Sequence, residues 1–310
     1  MAITGLEAAG TRGSCGIVGK EATTNQSCMA LFPTDKIITE YLFHFYCRYG
    51  NEFAFKYCQG TKQQSYTGRI VKILPIVLPP TLAEQRAIAA ALSDVDALIR
   101  RIGELIDKKR AIKQGAMQEL LTGKRRLEGF GGEWEIKTLG EICDIVSGGT
   151  PKTTKSEFWN GDIKWCTPTD ITSCKTKYLF ETKKTITKKG LDSSSAQLLP
   201  IGTLLLCSRA TIGEIKIAGI EICTNQGFKS LICKPTVSNE FLYYRILQSK
   251  SLLIEKAIGS TFLEISKKDI REIEFRIPLI EEQRAIAQIL SDMDAEIAAL
   301  QEKQTKYHSI

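Results

Sequence analysis

The chain has 310 residues, 43% hydrophobic and 25% charged, with a formal net charge of +7, enough for two domains that each bury a core. No apolar run approaches the roughly 18 residues of a membrane span, and the start shows no charged-then-apolar signal pattern, so a cytoplasmic chain with no membrane partner is expected. The ten cysteines include no C-x-x-C pair, which favours reduced, mostly buried thiols over disulfides or a metal site.

In chain order, GSCGIVGKE (13–21) has the look of a phosphate-binding loop. Its glycine spacing is one residue too long, and Glu21 stands where a magnesium-binding Ser or Thr belongs, so no nucleotide site is expected there. YLFHFYCRYG (41–50) reads as a helix. After Pro79-Pro80, the residues Ile88, Leu92, Val95, Ile99, Ile102 and Ile106 step by four and three, a heptad seam on a helix that runs to Leu121 or Thr122 and breaks at Gly123. At 1.5 Å per residue such a helix is about 60 Å long. Gly129-Phe130-Gly131-Gly132 reads as a joint. Short apolar alternations between turn residues then suggest small strands over 133–171, with more at 202–207, 214–217 and 230–233. NEFLYYRILQ (239–248) reads as a helix capped by Asn239. After Pro278 a second seam follows, at Ile286, Leu290, Met293, Ile297, Leu300 and Tyr307.

The second seam is a copy of the first. AEQRAIAAALSDVDALI (83–99) recurs as EEQRAIAQILSDMDAEI (281–297), 198 positions later. Thr24-Asn25-Gln26 precedes Thr224-Asn225-Gln226 by 200, Tyr41-Leu42 precedes Phe241-Leu242 by 200, and Gly60-Thr61 precedes Gly259-Ser260-Thr261 by about the same interval. A colinear series of matches marks a duplication. Two matched seams predict helices that pack on each other, antiparallel.

The only histidines, His44 and His308, have no counterpart in the opposite half, and no nucleotide-fold glycine motif or methyltransferase tetrad occurs. No catalytic residue and no metal ligand set is expected. Charge points instead to a polyanion: residues 152–189 hold nine lysines against four acids, and residues 100–126 hold nine basic residues against three.

VSGGTPKTTKSEFWNGDIKWCTPTDI (146–171) resembles the opening signature of a target recognition domain in type I restriction–modification specificity subunits. The repeated stretches at 80–99 and 278–297 resemble that family's spacer helices, and KQGAMQELLTGKRRL (113–127) is similar to its helix end. The resemblance implies an α+β chain: two mixed α/β target recognition domains, the first incomplete, separated by two long helices in an antiparallel coiled coil. The corresponding boundaries are 1–78, 79–127, 133–277 and 278–310. It further implies a non-catalytic subunit that reads a split site on double-stranded DNA, docks methyltransferase (modification) subunits and is joined by a restriction/translocase subunit. S-adenosylmethionine, ATP and magnesium would then belong to the partners, with no cofactor on this chain.

Phosphate contacts give affinity and base-edge contacts give specificity. Ser147, Thr150, Lys152, Lys155, Lys164, Lys183, Lys184, Lys188 and Lys189 are candidates for the backbone. Thr167, Thr169, Asp170, Arg209, Asn225 and Gln226 have the donors and acceptors to read bases. Asp170 can equally cap a turn, Asn225 and Gln226 can equally be structural, and Trp159 and Trp165 read as core. The SGGTP element occurs once, and the second helix stops at Ile310, which aligns with Ile112, so a truncated chain prone to self-association is expected. The alternative reading is a coiled-coil scaffold with non-specific DNA binding.

Overall fold

The computed structural model describes residues 14–57, 67–257 and 263–308. The matched segments at 60–61 and 259–261 lie outside that set. Two compact units emerge: one takes in the residues up to Glu104 with those from Glu302 onward, the other Leu105–Gln301.

Unit one is built from α1 (Thr39–Tyr57), α2 (Gly68–Lys72) and the first part of α3 (Leu82–Leu120). An aromatic-rich core forms around Tyr46, Phe53, Ala54 and Leu74, with Leu31, Leu42 and Val71 packed at its margin. Thr67 caps α2 by accepting from the Ile70 amide at 3.3 Å. Apart from a bridge at Cys28, the described residues of this unit form no strand. Where a mixed α/β first domain was expected, the sheets described lie in the second unit.

In unit two α3 ends at Leu120, and Gly123 turns the chain out at φ +71°, a left-handed conformation suited to glycine. A side chain at that position would also press on the Trp134 ring, 3.1 Å away. The chain continues through β1 (Glu135–Thr138), α4 (Leu139–Ile142) and β2 (Cys143–Ser147). Thr138 and Glu141 form a reciprocal capping box on α4. A 3-10 turn (Ser156–Phe158), β3 (Trp159–Cys166), α5 (Pro168–Ser173), β4 (Tyr178–Leu179), β5 (Lys184–Ile186) and α6 (Lys188–Asp192) follow. Then come β6 (Leu204–Leu206), β7 (Ile215–Ala218), β8 (Cys223–Thr224), β9 (Lys229–Cys233), α7 (Asn239–Gln248), α8 (Lys250–Glu255), α9 (Lys267–Arg271), β10 (Glu274–Ile277) and α10 (Ile280–His308). The cap of α7 is Ser238, one residue before the expected Asn239.

Three sheets result: β2-β9-β6-β7-β4, β5-β3-β8 and the pair β1-β10. The five-stranded sheet is covered on both faces. Leu204 and Leu206 of β6 join the large core with Phe241, Leu242 and Leu290, whereas Leu205 between them joins Phe228, Ile171 and Leu179 on the opposite face. That explains why LLL is apolar without alternation.

The seam residues divide. Ile102 and Ile106 are buried, Val95, Ile99, Met293, Leu300 and Tyr307 are half-buried, and Ile297 is buried. Ile286 and Leu290, at 1% and 0% exposure, belong to the core of unit two together with strand residues. Their counterparts Ile88 and Leu92 are 37% and 39% exposed, so a uniform helix–helix seam is corrected at both ends. Burial there follows from the sheet residues packed beside the helix, which the heptad spacing does not encode.

The duplication extends to hydrogen bonds. Gln283 is buried, accepts from the Ser238 amide (2.9 Å) and donates to the carbonyls of Pro278 (2.8 Å) and Thr236 (3.2 Å). In unit one the equally buried Gln85 accepts from the Ile38 amide (3.1 Å) and donates to the Lys36 carbonyl (2.9 Å). Tyr244 likewise bonds Asp294 (2.7 Å) and Ser291 (3.3 Å), while His44 meets Ser93 (2.9 Å) and Asp96 (3.8 Å) at the matching positions. His44 therefore has a counterpart in place, though not in residue type.

Between the long helices, unit two pairs Lys109 with Glu296 at 2.6 Å and Lys113 with Asp294, while Arg126, beyond the end of α3, grips the buried Glu282 through two bonds of 2.6 and 2.7 Å. In unit one, Gln304 donates to the Ile99 carbonyl at 3.3 Å.

Candidate nucleic-acid interface

The candidate residues all belong to unit two, on β2, β3, β5, α5 and α6 and on the loops between its strands. Gly148 and Gly149 let the loop after β2 press against the loop after β8: the Gly149 amide donates to the Thr224 carbonyl at 2.9 Å. A Cβ on Gly148 would stand 1.9 Å from the Asn225 carbonyl oxygen, and one on Gly149 2.3 Å from the Ala196 nitrogen. The glycine pair is thus a requirement of close approach. The meeting of these loops brings Thr150 Oγ1 into a hydrogen bond with Gln226 Oε1, with Ser147 at the end of β2. Ser147 and Gln226 are exposed, Thr150 half-buried.

Asn225 is half-buried and partly structural: its Oδ1 accepts from the Gly227 amide at 2.9 Å, and its own amide donates to the Cys166 carbonyl at 3.1 Å. Asp170 is wholly so. Buried at 4% exposure, it accepts from the Thr167 amide (2.8 Å), the Thr167 hydroxyl (2.6 Å) and the Lys183 amide (3.0 Å). As a base reader it is corrected, since both oxygens are occupied in fixing the loops that carry Thr167 and Lys183. Thr169, on α5, is exposed.

The lysines form a second group. Lys155 lies over the Phe158 ring (5.3 Å) and Lys184 over Trp159 (5.7 Å). Lys188 pairs with Asp192 at 3.0 Å, Lys189 with Glu157 at 2.8 Å and Lys164 with Glu181 at 3.0 Å. The hydrogen bond and charge of Lys189 hold the Glu157 carboxyl below the usual carboxylate range. Lys152, Lys155, Lys183, Lys184, Lys188 and Lys189 are all exposed. Beneath them Trp159 and Trp165 meet edge-on at 5.0 Å in a small core with Ile186 and Cys223, as expected of packing residues.

Arg209 is clamped by Glu264 through Nε (2.9 Å) and Nη2 (2.6 Å), with Lys229 at 3.6 Å from the same carboxylate. Burial pushes the Glu264 carboxyl up, but the hydrogen bond and charge of Arg209, with Lys229, outweigh it and leave it below its ordinary value. Sequence reasoning missed Glu264 and Lys229, and nothing in their local sequence announces a pairing across 55 or 35 positions. Among the described residues no group of three or more His, Cys, Asp or Glu could hold a metal ion, and burial pushes the Cys207 and Cys223 thiols up to about 11. No described helix is long and apolar enough to cross a membrane.

Hydroxyl, amide and lysine side chains thus share the exposed loops and short elements of unit two. The family model for the type I restriction modification DNA specificity domain matches residues 3–108 and 131–306, and the chain belongs to that family. It is 38% identical over 165 residues to the type I restriction enzyme MjaIX specificity subunit of Methanocaldococcus jannaschii, covering 52% of this chain and 38% of the relative. It is 26% identical over 272 residues to the EcoR124I/EcoR124II specificity subunit of Escherichia coli, covering 84% of this chain and 64% of the relative. The matches thus span from about two fifths to under two thirds of these relatives' length. Among solved structures, the type I restriction-modification S subunit from M. genitalium aligns with a TM-score of 0.58 at 19% identity, over 88% of this chain and 70% of that one. The HsdS subunit from Thermoanaerobacter tengcongensis aligns with a TM-score of 0.53 at 23% identity, over 86% and 64%. At these identities the likeness speaks for the fold.

Proposed function

We propose that the chain is a non-catalytic DNA-reading subunit of a type I restriction–modification complex, with unit two as a target recognition domain. The observation that carries the reading is the convergence of Ser147, Thr150, Asn225 and Gln226 on two interlocked loops, with exposed lysines in the same unit. Hydroxyl and amide groups supply both donors and acceptors to base edges, while lysines supply phosphate contacts. Cofactors and catalysis then reside on methyltransferase and restriction/translocase partners.

The long helices are read as an antiparallel coiled coil that spaces the recognition surfaces and receives the methyltransferase subunits. Support comes from partner numbers that fall on α10 as they rise on α3: 304 with 99, 296 with 109, 294 with 113. Selection of bound duplexes from a random pool, with the chain assembled with its methyltransferase, tests the function. A short split motif is expected. A flat result overturns the reading in favour of a non-specific scaffold.

A further inference from the structure

Because the halves are copies, unit two shows what covers each surface that unit one leaves open. In unit two Ile286 and Leu290 are sealed in a core that includes Leu139, Ile142, Cys143 and Ile145 from the β1–α4–β2 segment. That segment is held along both strands, β1 on β10 and β2 on β9. At the matching positions of unit one, residues 30–33 and 75–78 lie outside any strand, and Ile88 and Leu92 are exposed. Along residues 29–34 of this unit runs an open groove of about 480 Å³, lined by Leu31, Phe32, Leu42, Tyr46, Val71 and Ile76.

We propose that this groove docks a strand–helix–strand segment of a partner polypeptide, of the kind that EIKTLGEICDIVS (135–147) supplies in unit two. Backbone register supports it. The Lys234 amide donates to the Ile142 carbonyl at 2.9 Å, which makes 142/234 a hydrogen-bonded pair; the alternation of an antiparallel ladder then makes 143/233 non-bonded and 144/232 bonded. Shifted by 200 positions, Phe32 and Ala30 offer their amides and carbonyls to the incoming strand. Pro33, which has no N–H, falls where none is used. Charge agrees. The 135–147 segment carries Glu135, Glu141 and Asp144 against Lys137, while α2 beside the groove presents Arg69 and Lys72 and no acid. Phe32 at 87% exposure gives that partner an apolar anchor.

The test uses the full chain without DNA, so its outcome is independent of the recognition reading. A synthetic peptide of residues 133–148 is added in excess and amide hydrogen exchange is followed. Slowed exchange at the amides of 30–32 and 76–78 is expected with this peptide and not with a scrambled one. Phe32→Asp should abolish the effect while the amides around Ile38, held by Gln85, exchange as before. Unchanged exchange at the amides of 30–32 under saturating peptide overturns the proposal. So does protection confined to 229–233, or equal protection by the scrambled peptide. Protection that tracks chain concentration and that the peptide fails to compete assigns the groove to a second copy, and also overturns it.

Discussion

Gln283 and Gln85 do the same work 198 positions apart, tying the start of a long helix to the segment that enters an earlier one, α7 or α1. A buried donor or acceptor left without its partner costs about 1–3 kcal/mol. Gln283→Leu keeps the volume but strands the Ser238 amide and two carbonyls. It should lower the urea midpoint by an amount equivalent to about 2 kcal/mol at unchanged slope. An unaltered midpoint would show that the glutamine is dispensable. Glu240 gives a pH-dependent counterpart. Burial pushes its carboxyl up, but bonds from Tyr178 and Lys177 (2.9 Å to the latter) and the Lys177 charge prevail, so it lies below 4.5 when folded. A depressed carboxyl stabilises above its unfolded value and loses that contribution as pH falls through the folded one. The stability gap between the parent and Glu240→Gln should therefore shrink as pH drops below 4.5, measured by urea titrations at pH 7 and in acid. A constant gap would assign the effect to packing. Such roles were only half legible. Asp170 reads equally as base reader or cap, and its burial decides; Arg209 looks free in sequence because Glu264 lies far along the chain.

At the scale of elements, local rules carried far. The strand at 214–217 is β7 to within one residue, the helix at 239–248 is α7 residue for residue, and Gly123 ends the α3 turn. Heptad spacing located both long helices but not what lies against each face: identical patterns give a buried Ile286 and an exposed Ile88, because a strand layer reached through distant residues covers one and not the other. Strands of unit one were expected from the copy, yet extended residues form a ladder only against a partner strand. The helix pairing can be tested where it lies within unit two. Lys113→Glu and Asp294→Lys each place like charges together and should destabilise. The double exchange should restore much of the loss, with a coupling of about 0.5–3 kcal/mol in a thermodynamic cycle. Additivity of the two changes would argue against the antiparallel register.

For the whole molecule, affinity and specificity should separate. Lys188 and Lys189 are held by exposed ion pairs with Asp192 and Glu157. Such pairs are worth only about 0–1 kcal/mol, so a phosphate can replace the carboxylate at little cost. Lys183 and Lys184 extend the same set, the first anchored through its amide to Asp170 and the second over the Trp159 ring. Replacing all four by alanine should weaken binding to every duplex and lower the slope of log affinity against log salt, by roughly 0.9 for each phosphate no longer neutralised. Gln226→Ala is the contrasting case. Its side chain is exposed and bonds Thr150 across the two loops, so the fold should tolerate its removal. Because it carries no charge, the salt slope should stay put, while discrimination between the preferred duplex and a variant falls by about 1–3 kcal/mol at one base pair. Filter binding across a salt series, with one selected and one random duplex, reads both effects at once. If the lysine variant keeps the parental slope, the DNA surface lies elsewhere on the chain; if Gln226→Ala weakens both duplexes equally, that loop positions the backbone and reads no base.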